Sequence, residues 1–469
     1  MLKTTALRPT LLALALSCAF PAMAQSNAEV LNELRALRER VTELENKLKA
    51  AEAKTPAAGQ WGMTPEQARE LNRVTVKTEA LEDARDAAGL RLLKISGYMD
   101  PTFIYNKAQN TSGFQFLNKV DSSNGFSAGD GYNYDNSYFG AAVIDFQKET
   151  ESGTRWRLTL APNRGVGAVF DGTSPIHEAS VSIPLGSLQR RLIAGQIPDW
   201  SGYEYLPATQ NKLITHNLLF DFTLPTAYTG VGMEITEGKW IVKSMLANMN
   251  ASRRSSGNKA PVLAYRVDYS KGEFSGFGFA GVHGKAANFA DPDGVDSQVN
   301  LFEVDAYFIR GDWTLQGQVG FGSQKKASIT PDPLSGDLRD SRWTGFSALA
   351  AYKFTPRFEG TVRADYIKNN KNGGGLLGFT SADGRNGIGP GWALTDDGEG
   401  SFTWQQTDLE RGVNRSAFTF GLSYLFDLNT TFKVEYRLDR ANLPVFENIK
   451  DGSFKKSNSL FGASVLVSF

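Results

Sequence analysis

The last fifteen residues, "KKSNSLFGASVLVSF" (Lys455–Phe469), carry the clearest mark of the fold. Phe461, Ala463, Val465, Val467 and Phe469 stand at every second position, and Gly462, Ser464, Leu466 and Ser468 fill the alternate ones. Period-two alternation marks a strand with two unlike faces. The same pattern recurs upstream. In "TTFKVEYRLDR", Phe432, Val434, Tyr436 and Leu438 oppose Lys433, Glu435, Arg437 and Asp439. "RFEGTVRADYI", "NLFEVDAYF" and "WRLTL" repeat it. A single amphipathic strand fits a soluble sandwich as well as a barrel in lipid. The spacing of the breaks discriminates.

Sixteen such segments are expected between residues 92 and 469. Their connections alternate between short and long. The short ones are "ESGT", "GSL", "EG", "KG", "GD", "TPR" and "DLNT". The long ones are 107–135, 163–176, 199–228, 251–260, 284–297, 324–341, 370–412 and 441–456. Short turns at one rim and long loops at the other are the plan of an outer-membrane barrel. The expected fold is therefore an all-β transmembrane barrel of 16 antiparallel strands over 90–469, preceded by an α-helical coiled-coil arm. An even strand number returns the C-terminus to the short-turn rim, which places both termini in the periplasm of a Gram-negative bacterium. A terminal strand finishing on Phe469 then reads as the signal recognised by the barrel assembly machinery, and outer-membrane lipid is the partner of the apolar face.

The start of the chain agrees. Lys3 and Arg8 precede the apolar run Leu11–Phe20, and Ala22, Met23 and Ala24 form a small-x-small cleavage pattern. Residues 1–24 read as a secretory signal peptide, with a lipoprotein site at Cys18 as the alternative. Cys18 is the only cysteine, and loss of two bases from a balanced 50 and 50 leaves a net charge of −2. Disulfides and a nucleic-acid partner are both excluded on that reading.

Val30, Leu34, Leu37, Val41, Leu44, Leu48 and Ala51 form a heptad seam in the arm, 25–52. With Leu34, Val41 and Leu48 at a, each g residue (Glu33, Arg40, Lys47) meets an opposite charge at e of the next heptad (Arg38, Glu45, Glu52). That pattern favours parallel chains in register, and "RVTELE" (Arg40–Glu45) resembles a motif of short three-stranded coiled coils, which implies a homotrimer; a solvated single helix is the alternative. Residues 53–63 form a linker, and 64–89 a second helix capped by Thr64 and stopped at Gly89.

Little points to catalysis. His177, His216 and His283 have no metal-ligand spacing, no nucleophile-elbow motif is present, and "DPDGVD" (Asp291–Asp296) lacks the twelfth-position carboxylate of a calcium loop. No catalytic residue, metal or cofactor is expected. What remains is a lumen. Arg155, Arg157, Arg266, Arg363, Lys433, Glu435 and Arg437 are pore-lining candidates, with simple mutual pairing in a wet lumen as the alternative. The loop 199–228 carries Leu218, Leu219 and Phe220, too apolar for free solvent. Folding inward would make it a constriction, with Asp199, Tyr203, Glu204, Tyr205 and Lys212 as candidates; packing on the rim or on a neighbouring subunit is the alternative.

"LKISGYMDPTFIY", "RLIAGQIPDWSGYEYLPATQN" and "LPTAYTGVGMEI" resemble the β-barrel porin-2 (OmpL-like) family of proteobacterial outer-membrane proteins. A heptad arm before a barrel is also similar to the DcaP-like trimeric porins. Those resemblances imply a trimeric channel passing small hydrophilic solutes, carboxylates among them. A structural anchor tethered to the cell wall through the coiled coil is the competing expectation.

Overall fold

The computed structural model describes residues 38, 42, 65–87, 90–117, 140–161, 175–251, 260–272, 274–378, 387–396, 398 and 400–469. The signal peptide, the linker and the heptad arm, apart from Arg38 and Thr42, lie outside the described residues. Two compact units divide the chain: Phe20–Leu93, and a barrel unit from Lys94 to Phe469. In the first, α1 (Pro65–Ala87) is helical, with Leu71, Val74 and Val76 exposed.

Sixteen antiparallel staves make the barrel. β1 is Leu93–Met99 continued by Thr102–Asn106, and β2 is Thr111–Gln115 continued by Ala142–Glu149. Next come β3 (Arg155–Leu160), β4 (Ile176–Ser187), β5 (Arg190–Pro198), β6 (Ala227–Glu237), β7 (Trp240–Met249) and β8 (Val262–Gly272). They are followed by β9 (Ser275–Ala286), β10 (Ser297–Arg310), β11 (Trp313–Gln324), β12 (Ser341–Thr355) and β13 (Phe358–Lys368). β14 (Arg415–Leu425), β15 (Thr430–Ala441) and β16 (Ser457–Ser468) complete the set. Each pairs with the next in sequence, and β16 returns to β1 through Tyr98↔Ser468, Met99↔Val467 and Thr102↔Ser464. Closure leaves no edge strand, which a bilayer requires.

The two faces are inverted relative to a soluble protein. Along β10, Phe302 and Val304 are 38% and 39% exposed, while Glu303 and Asp305 are 0% and 6%. Aromatic pairs such as Trp313–Tyr352 and Trp240–Tyr269 sit on the outer surface beside the short turns.

One expected boundary is corrected. The first connection is the turn 107–110, not a loop over 107–135, because Thr111–Gln115 already pairs with Thr102–Asn106. The long excursion leaves from within β2 instead. Opposite it, β1 breaks at Asp100–Pro101, whose proline has no N–H for the ladder. The Asp100 carboxylate accepts from Ala141 N (2.5 Å) and Gly140 N (3.3 Å), and Asp100 N donates to Ala141 O. The break in one stave thus receives the returning chain of its neighbour.

Candidate pore and its inserted loop

The connection between β5 and β6 enters the barrel. Its middle reaches toward the short-turn rim, where Ala208 packs with Tyr98, Val143 and Leu466. Lys433 near the start of β15 donates to Ala208 O (2.9 Å) and Asn211 O (2.7 Å). Lys212 pairs with Glu359 at 2.8 Å. The chain then rises through Leu213–His216 into α2 (Leu218–Thr223), capped by Asn217, which accepts from Phe220 N. That helix packs on β11, β12 and β13.

Two devices hold this loop. The first is steric. Four inward positions of the receiving wall are glycines, and each faces an apolar side chain of the loop. A Cβ on Gly320 would stand 3.4 Å from Leu219, one on Gly345 3.1 Å from Leu219, and one on Gly462 3.3 Å from Ile214; on Gly421 it would collide with Leu213. Leu218 and Leu219 are fully buried, each such burial worth about 1.5–3 kcal/mol.

The second device is a set of charged side chains gripping the loop backbone. Arg363 donates to Thr215 O (2.7 Å) and His216 O (2.8 Å), and pairs with Glu204 (2.7 Å) and Asp365 (3.1 Å). Arg437 also donates to His216 O (2.8 Å) and pairs with Asp439. Glu435 accepts from Ile214 N (2.6 Å), Thr215 N (3.0 Å) and the Thr215 hydroxyl. At the loop base Gly202 N donates to Glu303 (2.8 Å), and the Tyr203 hydroxyl meets Ser347 Oγ at 2.6 Å. Asp199 accepts from Tyr228 (2.6 Å) and Ser201 N, while Tyr205 is fixed by Asn211. Fixed charges on backbone dipoles need no water, so the interior can be sealed there.

Above the helix, Arg415 lies over the rings of Phe222 (4.8 Å) and Phe446 (5.5 Å). Val413, Val445, Phe446 and Leu460 join Ile214 in one apolar cluster, so the connections after β13 and β15 close on the loop from the long-loop side.

Arg266 holds a buried knot with Asp268 (2.8 Å), Asp305 (2.5 Å) and Glu303 (3.3 Å), the last shared with the loop base through Gly202 N. Its strands, β8 and β10, are separated by β9. Between them β9 presents Ala280 and Gly278, and a Cβ on Gly278 would strike Asp268. The small residues let the guanidinium reach across.

Asp221, outside the membrane-spanning strands, has its carboxyl pushed up to about 7 by burial. Arg437 and Arg363 oppose that rise; Glu204 and Asp365 reinforce it.

Five of the seven lumen candidates therefore meet the loop or a buried knot: Arg266, Arg363, Lys433, Glu435 and Arg437 are all 7% exposed or less. Arg155 and Arg157 stand on the opposite wall, β2–β7. Arg155 pairs with Glu149 and keeps 42% of its side chain exposed; Arg157 bonds Asp145 (2.8 Å) and Glu178 (3.3 Å). The same wall holds Arg191 and the Lys243–Glu234 pair. The sequence pattern does not show the glycine sockets or the gripped carbonyls of Thr215 and His216, neither of which has a chemical signature of its own. The histidines are apart: His216 stacks on Phe220, and His283 bonds Tyr265 and Asn300. Among the described residues no group of three or more His, Cys, Asp or Glu is placed to hold a metal.

Among solved structures, OprB of Pseudomonas putida is similar at 8% identity over 82% of this chain and 96% of its own, with a TM-score of 0.48. The outer membrane channel DcaP of Acinetobacter baumannii is similar at 12% identity over 80% and 97%, TM-score 0.47. OmpT, an outer membrane protein of Vibrio cholerae, gives 10% identity over 80% and 97%, TM-score 0.47. Comparison with curated proteins finds no match. The profile of one family, described as "Protein of unknown function (DUF3138)", matches residues 64–268 and 256–469. With its whole barrel inside those matches, the chain belongs to the DUF3138 family.

Proposed function

We propose that the protein is an outer-membrane porin through which small hydrophilic solutes diffuse passively, with its short turns and both termini in the periplasm. The observation that supports this most is the inverted closed barrel, apolar outside and charged inside, with a loop folded into its lumen. Most interior charges grip the loop, and those on β2–β7, where the Arg155 side chain keeps 42% exposure, are the ones left to water and ions.

The loop covers the wall from β10 round to β16. The passage then runs along β2–β7, past Arg155, Arg157 and Lys243 and their carboxylate partners. Solutes bearing a carboxylate would exchange these ion pairs stepwise, since each arginine already binds carboxylates in the same geometry. We further propose that Phe469 engages the barrel assembly machinery and that a homotrimer forms through the arm.

The extent of the buried loop also supports a second reading, a filled barrel serving as an anchor for a cell-wall tether. Reconstitution into planar bilayers separates the two. A porin gives discrete conductance steps, and an anchor gives none.

A further inference from the structure

The outer surface carries a groove of about 650 Å³ across β12–β15, close to the long-loop rim. Its origin is a change of residue size within the apolar band. Ala364 on β13 and Ser416 on β14 are small, whereas Phe346, Tyr366 and Phe418 around them are large. The rows are fixed by register: Phe346↔Tyr366↔Ser416↔Arg440, and one step toward the membrane centre Ala348↔Ala364↔Phe418. The volume falls within the range of small-molecule sites. Here the lining faces outward, where a bilayer supplies acyl chains rather than solutes.

The rim end of the groove is cationic. Arg440 lines it, and Arg342 on β12 and Lys368 on β13 face outward beside it, all three exposed. Among the described residues none of the three is in an ion pair. Four neighbouring strands span about 15 Å, so three cations stand within the width of one phosphorylated sugar headgroup. In the lumen, by contrast, Arg266, Arg363 and Arg437 each hold a carboxylate. Three unpaired cations over an apolar groove present the complement of a lipid whose head is anionic and whose chains are apolar.

We infer that this groove docks a phosphorylated, multiply acylated glycolipid of the outer leaflet, of lipid A chemistry, with its phosphates on Arg342, Lys368 and Arg440 and an acyl chain over Ala364 and Ser416. The assignment rests on the outer-membrane reading, which puts the long-loop rim in the outer leaflet. Arginine and lysine bind phosphate through charge-assisted hydrogen bonds, and the chain covers apolar surface that the neighbouring aromatics leave open.

The test uses the full-length protein, delipidated in dodecyl maltoside and titrated with purified bisphosphorylated, hexa-acylated lipid A, bound lipid being counted by native mass spectrometry. Phosphatidylglycerol and lipid A stripped of phosphate run in parallel. The parent is expected to retain a single lipid A per chain, preferred over phosphatidylglycerol by roughly ten-fold or more. The triple variant Arg342→Gln/Lys368→Gln/Arg440→Gln should lose that preference, as should the dephosphorylated lipid on the parent. Ala364→Phe, which keeps all three cations and fills the groove, should also lose it. Equal retention of phosphatidylglycerol, or unchanged binding in either variant, overturns the inference. The dephosphorylated lipid is read on the parent, so the comparison stands even where a variant fails to fold. Conductance recorded from the same preparations is independent: a silent parent that still selects lipid A would sink the channel reading and keep the groove, and a conducting parent without selection would do the reverse.

Discussion

Arg363 shows how a single residue positions the lumen. Its guanidinium binds two consecutive backbone carbonyls and two carboxylates, all in a fully buried setting. A buried pair adds little net stability, yet removing one partner leaves charge in a sealed interior and costs about 3–5 kcal/mol. Arg363→Gln is expected to loosen Thr215 and His216, which stay bonded to Glu435 and Arg437, lower the temperature at which the heat-modifiable band is lost, and make single-channel currents noisier. Unaltered thermal mobility and current noise would show that the sockets and the other grips hold the loop without it. Gly421 tests those sockets. Leu213 opposite it is boxed in by Tyr203, Leu349 and Ala351, so it cannot yield to a new side chain. Gly421→Val should destabilise loop docking by about 1–3 kcal/mol, the usual cost of overpacking, read as faster proteolysis within 205–217 in the folded barrel.

Among the elements, the inserted helix α2 carries its own pH dependence. Asp221 has a folded value of about 7 against 3.8 in the open chain. Between those values the docked loop holds a proton that the released loop does not. Docking is therefore strongest in acid, weakens by about 1.4 kcal/mol per proton per unit as pH rises from about 4 toward 7, and levels off above 7. Hydrogen exchange at Phe220–Thr223, corrected for intrinsic rate, should show protection falling between about pH 4 and pH 7 and flat above that. Asp221→Asn should flatten that slope. A second element, β16, closes the barrel at its last residue: Phe469 N donates to Gly97 O, and Gly97 N to Phe469 O, both at 3.0 Å. Deleting Phe469 removes this pair with the terminal aromatic, and the folded fraction in the outer membrane should fall while secretion continues. A normal folded yield would contradict the role given to the C-terminus.

Much of the barrel is readable from the sequence because period-two alternation reports which face is which, and β15 and β16 show it without interruption. Leu218, Leu219 and Phe220 call for a partner surface, but the sequence leaves the lumen, the rim and a neighbouring subunit equally open, and only the fold places them in the lumen. The first strand is readable as one run over 92–106, but its break and the Thr111–Gln115 part of β2 are not. Thr111–Gln115 is too short to display a period, and the break at Asp100–Pro101 makes sense only beside Gly140 and Ala141, some forty residues on. The sockets are hidden for a similar reason: a glycine in a strand pattern signals a close approach but does not name what approaches. Likewise Arg363 and Glu435 read as solvated lumen charges, since only the folded loop shows that they bind its backbone.

In the whole molecule these pieces combine into one proposal. A barrel of sixteen staves keeps a water-filled passage on the β2–β7 wall because the opposite wall is occupied by a loop clamped at Arg363 and Arg437. The decisive measurement is single-channel recording in planar bilayers, with the parent compared against Arg155→Glu and Arg363→Gln under the same salt gradient. Discrete steps are expected from the parent. Arg155→Glu should shift the reversal potential toward cations with the loop undisturbed, and Arg363→Gln should enlarge or destabilise the steps. A parent without conductance, or an Arg155→Glu reversal potential that matches the parent, would contradict the proposed passage.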